Sequence, residues 1–258
     1  MRLSSLFFLG FACLSFFDCS AVYSRDEASG EEKEWLEYYY QNPTPERFVQ
    51  QMKDWAAEGT LESDRAKPAL IAFLSRVLRD NRDQIEGWVE ALSGLTPEQK
   101  QVLFTAMLYS RVSEADKIML KMFGNQYREQ KVQTEKILEM PLDKESTIDM
   151  LWGFFYATGS EHALRRVVLC FRFEDAPEQL EGGNVPEGYV PFYKILPRFA
   201  FESLLANAER HPKVLATLKK FLEEDESLVE AEKNGVYDVL SEIDPQAYPP
   251  LDREGETA

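Results

Sequence analysis

A chain of 258 residues with 44% apolar and 12% aromatic side chains can build one large domain or two small ones, which excludes disorder of the whole chain. Its net charge of −16 gives a surface that repels polyanions, so nucleic acid and anionic membrane surfaces are poor partners.

The first segment, residues 1–21, predicts a signal peptide. Arg2 supplies a positive charge, a mostly apolar run follows from Leu3 to Phe17, and Cys19-Ser20-Ala21 forms a small-x-small cleavage site. No later stretch approaches the roughly 18 apolar residues of a membrane span. We therefore expect a periplasmic or secreted protein without an integral span after cleavage, with an uncleaved anchor as the alternative.

Two of the three cysteines raise the question of lipidation. The residues before Cys13 and Cys19 do not fit the lipoprotein pattern, so a lipoprotein is the less favoured reading. Cleavage would leave Cys170 alone in an apolar run, unable to form an internal disulfide. We interpret it as a small buried apolar side chain rather than a nucleophile.

An acidic stretch at 22–32 has no periodicity and predicts a flexible leader. Residues 33–243 predict a single domain of about ten or eleven amphipathic helices with short connections. Clear start signals include Thr96-Pro97-Glu98-Gln99 and a capping box of Ser113 with Asp116. A break is expected at Gly124, followed by a helix at roughly 125–140.

The stretch from Ser146 to Phe171 predicts the centre of the fold. Ser146 with Asp149 forms a capping box, Gly159 ends the first helix, and Ser160 caps a second helix. The first helix is apolar on nearly all sides, so it must be buried between neighbours. The short connection predicts an antiparallel helical hairpin.

The remainder of the chain completes an all-α prediction. A Gly/Pro-rich loop at 173–191 interrupts the helices, Asn234-Gly235 predicts a flaw in the last helix, and 244–258 predicts a disordered tail. Strand signals are nearly absent. We expect an irregular stack of antiparallel helical hairpins, either a TPR/HEAT-like superhelix or a compact helical bundle, without a repeated TPR or HEAT signature.

Two segments carry a family resemblance. Leu151-Trp152-Gly153-Phe154-Phe155-Tyr156-Ala157-Thr158-Gly159, followed by Arg165-Arg166-Val167-Val168, resembles part of a group of uncharacterised exported bacterial helical proteins. Residues 204–215 resemble a downstream segment of the same group, and together the segments cover about a third of the chain. The resemblance implies a bacterial envelope or secreted protein and no particular chemistry.

Signals for catalysis and cofactors are weak. The two histidines, His162 and His211, lie in different elements and form no metal signature with Cys170. Gly182-Gly183 lacks the Lys-Ser/Thr of a phosphate loop, and a nucleophile elbow is missing. We expect no cofactor, no metal and no enzymatic activity.

Aromatic residues are dense between positions 152 and 201, which usually indicates core packing. The functional alternative is a groove for a peptide or protein partner of the envelope, lined by Phe173, Tyr189, Phe192 and Tyr193. A second hypothesis is an all-helical enzyme with a pocket near this loop, formed by Glu161, His162, Tyr189 and Glu202.

Overall fold

The described part of the chain contains ten full α-helices, and glycines and prolines lie at many of their ends. The computed structural model describes residues 35–174 and 192–251. The helices are α1 (Phe48–Ala57), α2 (Lys67–Asp80), α3 (Ile85–Ala91), α4 (Pro97–Ser110), α5 (Ser113–Gln133), α6 (Glu145–Thr158), α7 (Glu161–Val168), α8 (Phe192–Arg210), α9 (Pro212–Glu224) and α10 (Glu230–Ile243).

The all-α prediction is confirmed. A further helical turn occupies 35–37, short 3-10 helices join several elements, and the described ranges contain no strand. The helices pack in a compact arrangement that fits a helical bundle or stack. The predicted signal peptide at 1–21, the leader at 22–32, most of the 173–191 loop and residues 252–258 lie outside the described residues.

The centre of the fold is the crossing of α2 and α6. At this crossing the backbone of Gly153 approaches the backbone of Ala69 so closely that a Cβ atom on Gly153 would lie 2.0 Å from the Ala69 carbonyl oxygen. Leu151 and Phe155, on α6, are fully buried beside this contact. The tightest contact of this crossing therefore depends on a residue without a side chain.

α6 turns into α7 at Gly159, as predicted. Gly159 has a φ of 63° and donates its backbone N–H to the carbonyl oxygen of Phe155. A left-handed residue at this position ends a helix without steric cost only when it is glycine. The chain then enters α7 after Ser160, which makes no side-chain cap.

Two predicted capping boxes are wrong. α6 begins at Glu145 after Lys144, so Ser146 lies inside the helix. The carboxylate at Glu145 already complements the positive end of the helix dipole. Ser113 is the first residue of α5 rather than its cap, and Asp116 binds side chains further along that helix. Hydrogen bonds to a charged partner outweigh a single bond to a backbone N–H.

The second half of the fold is built by α7 to α10. Gly235, predicted as a flaw, lies within α10, where an added Cβ would meet the Phe171 ring at 2.4 Å. The glycine therefore allows close packing of α10 on the 3-10 helix Leu169–Phe173. α8 continues through Pro197, which lies inside the helix.

A buried ionic cluster joins α7, α9 and α10. Glu232 is fully buried and accepts two hydrogen bonds from Arg165, at 3.0 and 3.2 Å, and one from Arg172 at 2.5 Å. Arg165 also donates to Asp225 at 2.9 Å, just after α9. The backbone N–H of Val229 donates to Glu232 at 3.1 Å, which ties the cluster to the start of α10.

The structure describes residues 244–251 of the predicted tail. Tyr248 packs edge-to-face on Tyr237 of α10, with ring centroids 5.8 Å apart, and the Tyr237 hydroxyl donates to the Pro249 carbonyl oxygen at 2.8 Å. Residues 244–251 therefore contact the helical body.

The first described residues, 35–40, pack where α8 meets α9. Arg210 forms a double hydrogen bond with the buried Glu37 carboxylate, and Tyr38 donates to the Arg210 carbonyl oxygen. His211 lies under this segment and is fully buried, with its Nδ1 atom 3.5 Å from the Tyr40 hydroxyl. Its Nε2 atom has no hydrogen-bond partner among the described residues. His211 is therefore part of the core.

Stability is expected to fall in acid because of His211. Burial, with a smaller contribution from Arg210, lowers the pKa of His211 to about 4, from 6.5. The unfolded chain therefore binds a proton that the native chain excludes, so stability present above pH 6.5 is lost as the pH falls towards 4. The expected loss is about 3 kcal/mol, measured by denaturant unfolding at pH 7.5 and pH 4.

The control is His211→Gln, which cannot titrate, compared with the natural protein at each pH. This comparison subtracts other groups such as Asp149, whose pKa is raised to about 7 by burial and by Glu145 and which shifts stability in the opposite sense. An equal pH dependence in both proteins would show that His211 is not the responsible group.

Candidate functional site

The site begins with α4, which carries apolar side chains on two faces. Its start is the predicted one, with Thr96 and Gln99 forming a capping box. The core face is buried and consists of Val102, Leu103, Ala106 and Met107. Phe104 and Leu108, one turn apart, lie on a second face, where Phe104 stays half-buried. The fold therefore leaves part of this second face uncovered.

The second wall comes from α5, which is folded back on itself at Gly124. The backbone there has φ 56° and ψ −129°, a conformation that strains any L side chain. In a straight helix residues 116 and 131 would lie roughly 22 Å apart along the axis. Because Lys131 instead contacts the Asp116 carboxylate, the second half, 125–133, must lie back against the first.

Tyr127 is the anchor of this second half. It is the one buried side chain of residues 121–130, and its hydroxyl donates to the Asp116 carboxylate that also binds Lys131. Burial and the neighbouring Asp116 carboxylate raise the pKa of Tyr127 well above its usual value, which keeps the hydroxyl a donor. Tyr127 and Lys131 thus both tie the second half of α5 to Asp116 in its first half.

Between α4 and the two halves of α5 lies a groove of about 480 Å³, open to solvent, which we call the α4–α5 groove. Its apolar lining is formed by Phe104, Leu108, Met119, Met122, Phe123 and Tyr127. Met122 and Phe123 are 49% and 39% exposed, and the Phe123 ring lies edge-to-face on Phe104 at 5.4 Å. Large apolar side chains exposed together mark interaction sites.

The rim of the groove is polar, and none of the described residues that line it is acidic. Gln101, Gln126 and Gln130 contribute amides, and Lys100 contributes the one charge of the lining. From Pro97 to Gln133 the chain has six basic and four acidic residues, whereas the whole chain has a net charge of −16. The groove is therefore a locally basic site on an acidic protein.

Replacing Gly124 by alanine is expected to open the bend. A Cβ at this position would have no atom of the described residues within 4 Å, so the expected cost of about 1–3 kcal/mol comes from the backbone conformation. Relief of that strain requires the second half of α5 to swing away and Tyr127 to leave its site. Amide hydrogen exchange of residues 125–133 should accelerate, and the free energy of unfolding should fall.

The matched control is Gly87→Ala in α3, where an added Cβ is equally free of contacts and φ is not positive. Alanine is the better helix former there, and we expect up to about 1 kcal/mol of stabilisation. If both substitutions gave the same result, the backbone of Gly124 would not be what holds the bend.

The predicted aromatic site is described in part. Phe173 and Tyr193 do come together, with ring centroids 6.0 Å apart, and both are half-buried against the core. Phe192 begins α8, but its side chain and the whole of Tyr189 lie outside the described residues. A ligand role for these four residues stays a prediction.

Two of the residues proposed for an enzyme pocket, Glu161 and Glu202, form ion pairs with other side chains. Glu161 is exposed and pairs with Lys220 of α9 at 2.8 Å, whereas Glu202 pairs with Arg198 on its own helix. Burial raises the pKa of the Cys170 thiol to about 12, which disfavours the thiolate. In residues 35–174 and 192–251 no three His, Cys, Asp or Glu side chains are placed to hold a metal ion.

Sequence reasoning missed the groove. The signal was present in Phe104 and Leu108, which follow helical spacing on the face opposite the core face of α4, and in Met122-Phe123 directly before Gly124. Apolar residues at helical spacing are normally read as core, and nothing local marks which face stays open.

Comparison with protein-family models, characterised proteins and solved structures found no match. The resemblance to exported bacterial proteins therefore stays a prediction. No helix in the described ranges combines the length and apolarity needed to cross a membrane.

Proposed function

We propose that this protein is an exported, non-enzymatic helical scaffold that binds an apolar segment of a partner protein in the α4–α5 groove. The observation that carries the proposal is the exposure of Met122 and Phe123 beside Phe104, in a groove bent into shape at Gly124. A fold that can bury Leu151 and Phe155 completely leaves these side chains at the surface.

The chemistry of the lining supports protein binding. Methionine adapts its shape to different apolar partners, and Met119 and Met122 line the groove together with three aromatic rings. Burying an apolar side chain on association contributes roughly 1.5–3 kcal/mol, so a few such contacts give useful affinity. The glutamines at the rim can bind backbone or polar groups of the partner.

Export is the part of the proposal that depends on sequence alone. Residues 1–21 have the pattern of a signal peptide, and a cleaved product would act in the periplasm or outside the cell. The partner would then be a protein of the envelope. The predicted 173–193 surface is the second place where a partner could bind.

The test uses two variants of the same bent helix. Met122→Ser removes an exposed apolar side chain that lines the groove, and Val132→Ser removes one that is 87% exposed and lies outside the lining. Both should change stability by less than about 0.5 kcal/mol, because both side chains are exposed. Affinity capture from envelope extract, quantified by mass spectrometry, compares them with the natural protein.

A partner retained by the natural protein and by Val132→Ser should be lost at least about tenfold with Met122→Ser. Equal retention by all three proteins would contradict the proposal. If the partner were lost with Tyr193→Ala but retained with Met122→Ser, it would bind at the 173–193 surface instead of the groove.

A further inference from the structure

We infer that the segment bound in the α4–α5 groove is an amphipathic α-helix with acidic residues beside its apolar face. This rests on the proposed function and adds the conformation and charge of the partner segment. The shape of the groove, its charge and the distribution of exposed apolar residues each contribute to the inference.

The groove has the length of a helix contact. Its α4 wall runs from Pro97 to Leu108, with lining positions spaced by three or four residues. Eleven helical steps span roughly 16 Å, or about three turns. A partner helix of three turns presents apolar anchors at i, i+3 or i+4, and i+7, which is the spacing that a groove of this length accommodates.

A bound strand is less suited to this place. Strand addition requires a sheet edge with free N–H and C=O groups, and the described ranges have no strand. Both walls are helical apart from the bend at Gly124, so most of their backbone groups are bonded within their own helices. Recognition must therefore come from side chains, which favours a partner that carries its own backbone hydrogen bonds.

The positive charge of Lys100 favours a partner helix with acidic residues. Among the described residues, none of those lining the groove carries a carboxylate. The Lys100 ammonium donates one hydrogen bond to the Ser93 carbonyl oxygen at 2.5 Å, and an ammonium has three N–H groups to donate. Most of the acidic surface of the protein repels an acidic partner, so the locally basic groove steers such a partner to one place.

A second copy of the chain fits less well. A symmetric pairing through this face would bring two copies of the basic groove, each with its Lys100, against each other. Outside the groove, the exposed large apolar side chains of the described part are Val132, Val229 and Leu251. They are scattered, so no described helix offers a second apolar stripe to fill the groove.

The experiment uses three synthetic peptides of about fourteen residues, long enough for the three turns of the groove. All share one stripe of leucines at helical spacing. The first carries glutamates beside the stripe, the second carries lysines at the same positions, and the third keeps the glutamates but has a central proline that prevents a helix. Binding to the purified protein is measured by fluorescence anisotropy.

The acidic helix should bind at least about tenfold more tightly than the basic helix, and the proline peptide should lose most of its binding. Lys100→Glu should abolish or invert the charge preference, whereas Lys100→Arg should keep it. Phe104→Ser should weaken both helices. Thermal unfolding of each variant shows whether the fold is retained.

The outcomes separate the two levels of the proposal. Equal binding of acidic and basic peptides, or full binding of the proline peptide, would overturn the inference but leave groove binding intact. Binding unaffected by Phe104→Ser would overturn groove binding itself. A dimer seen by analytical ultracentrifugation and lost with Met122→Ser would assign the groove to a second copy instead.

Discussion

Gly153→Ala is expected to cost at least about 3 kcal/mol of stability or to prevent folding. The new Cβ would lie 2.0 Å from the carbonyl oxygen of Ala69 and 2.9 Å from its Cα atom. These are backbone atoms of α2, so no flexible side chain can move aside. Separating two packed helices at their crossing loses contacts along both of them, which makes such overpacking costly.

The control for this prediction is again Gly87→Ala, which tests whether loss of a helical glycine is harmful in itself. Chemical denaturation of both variants gives the comparison. If Gly153→Ala unfolded within about 0.5 kcal/mol of the natural protein, α2 and α6 would not cross as closely as the structure shows.

Glu232→Gln is expected to destabilise the protein by about 3–5 kcal/mol. The substitution keeps the shape of the side chain but removes the charge that binds Arg165 and Arg172. Glu232 is fully buried, and Arg165 is largely so, which leaves a guanidinium with an incomplete set of partners. The free energy of unfolding in urea measures the loss.

Glu230→Gln is the matched control, because Glu230 lies two residues before Glu232 on α10 and is exposed. The same chemical change there should have an effect below about 0.5 kcal/mol. Similar results at both positions would mean that the cluster of Glu232 does not hold α7, α9 and α10 together.

The central hairpin could be predicted because its sequence allows few alternatives. A helix with Ile148, Leu151, Trp152 and Phe155 on adjoining faces must be covered on several sides, and all four are buried. Gly159 then fixes the turn through its backbone freedom. Signals of this kind are local and do not depend on distant partners.

Other features depend on contacts between distant residues. Asp116 matched a capping pattern, yet its partners are Tyr127 and Lys131, which reach it only because of the bend at Gly124. Gly235 matched a helix flaw, yet it makes room for Phe171 of another element. Local sequence patterns singled out Asp116 and Gly235, but they did not indicate which residues these two contact.

The groove could not be predicted from the sequence for a related reason. Phe104 and Met122 have the spacing of core residues, and only the packed structure shows that Phe104 is half-buried and Met122 is 49% exposed. The buried ionic cluster was missed because Arg165, Arg172 and Glu232 look like ordinary charged helix positions. In an acidic chain, pairs of charges have little discriminating power before the fold is known.

Methionine methyl NMR tests the groove most directly. The described residues include six methionines, of which Met119 and Met122 line the groove while Met52, Met107, Met140 and Met150 lie elsewhere. With methyl-labelled protein and the acidic leucine peptide as ligand, a helix bound in the α4–α5 groove predicts shifts of Met119 and Met122 and little change of the others. Unchanged Met119 and Met122 signals, or shifts centred on Met140 and Met150, would contradict it.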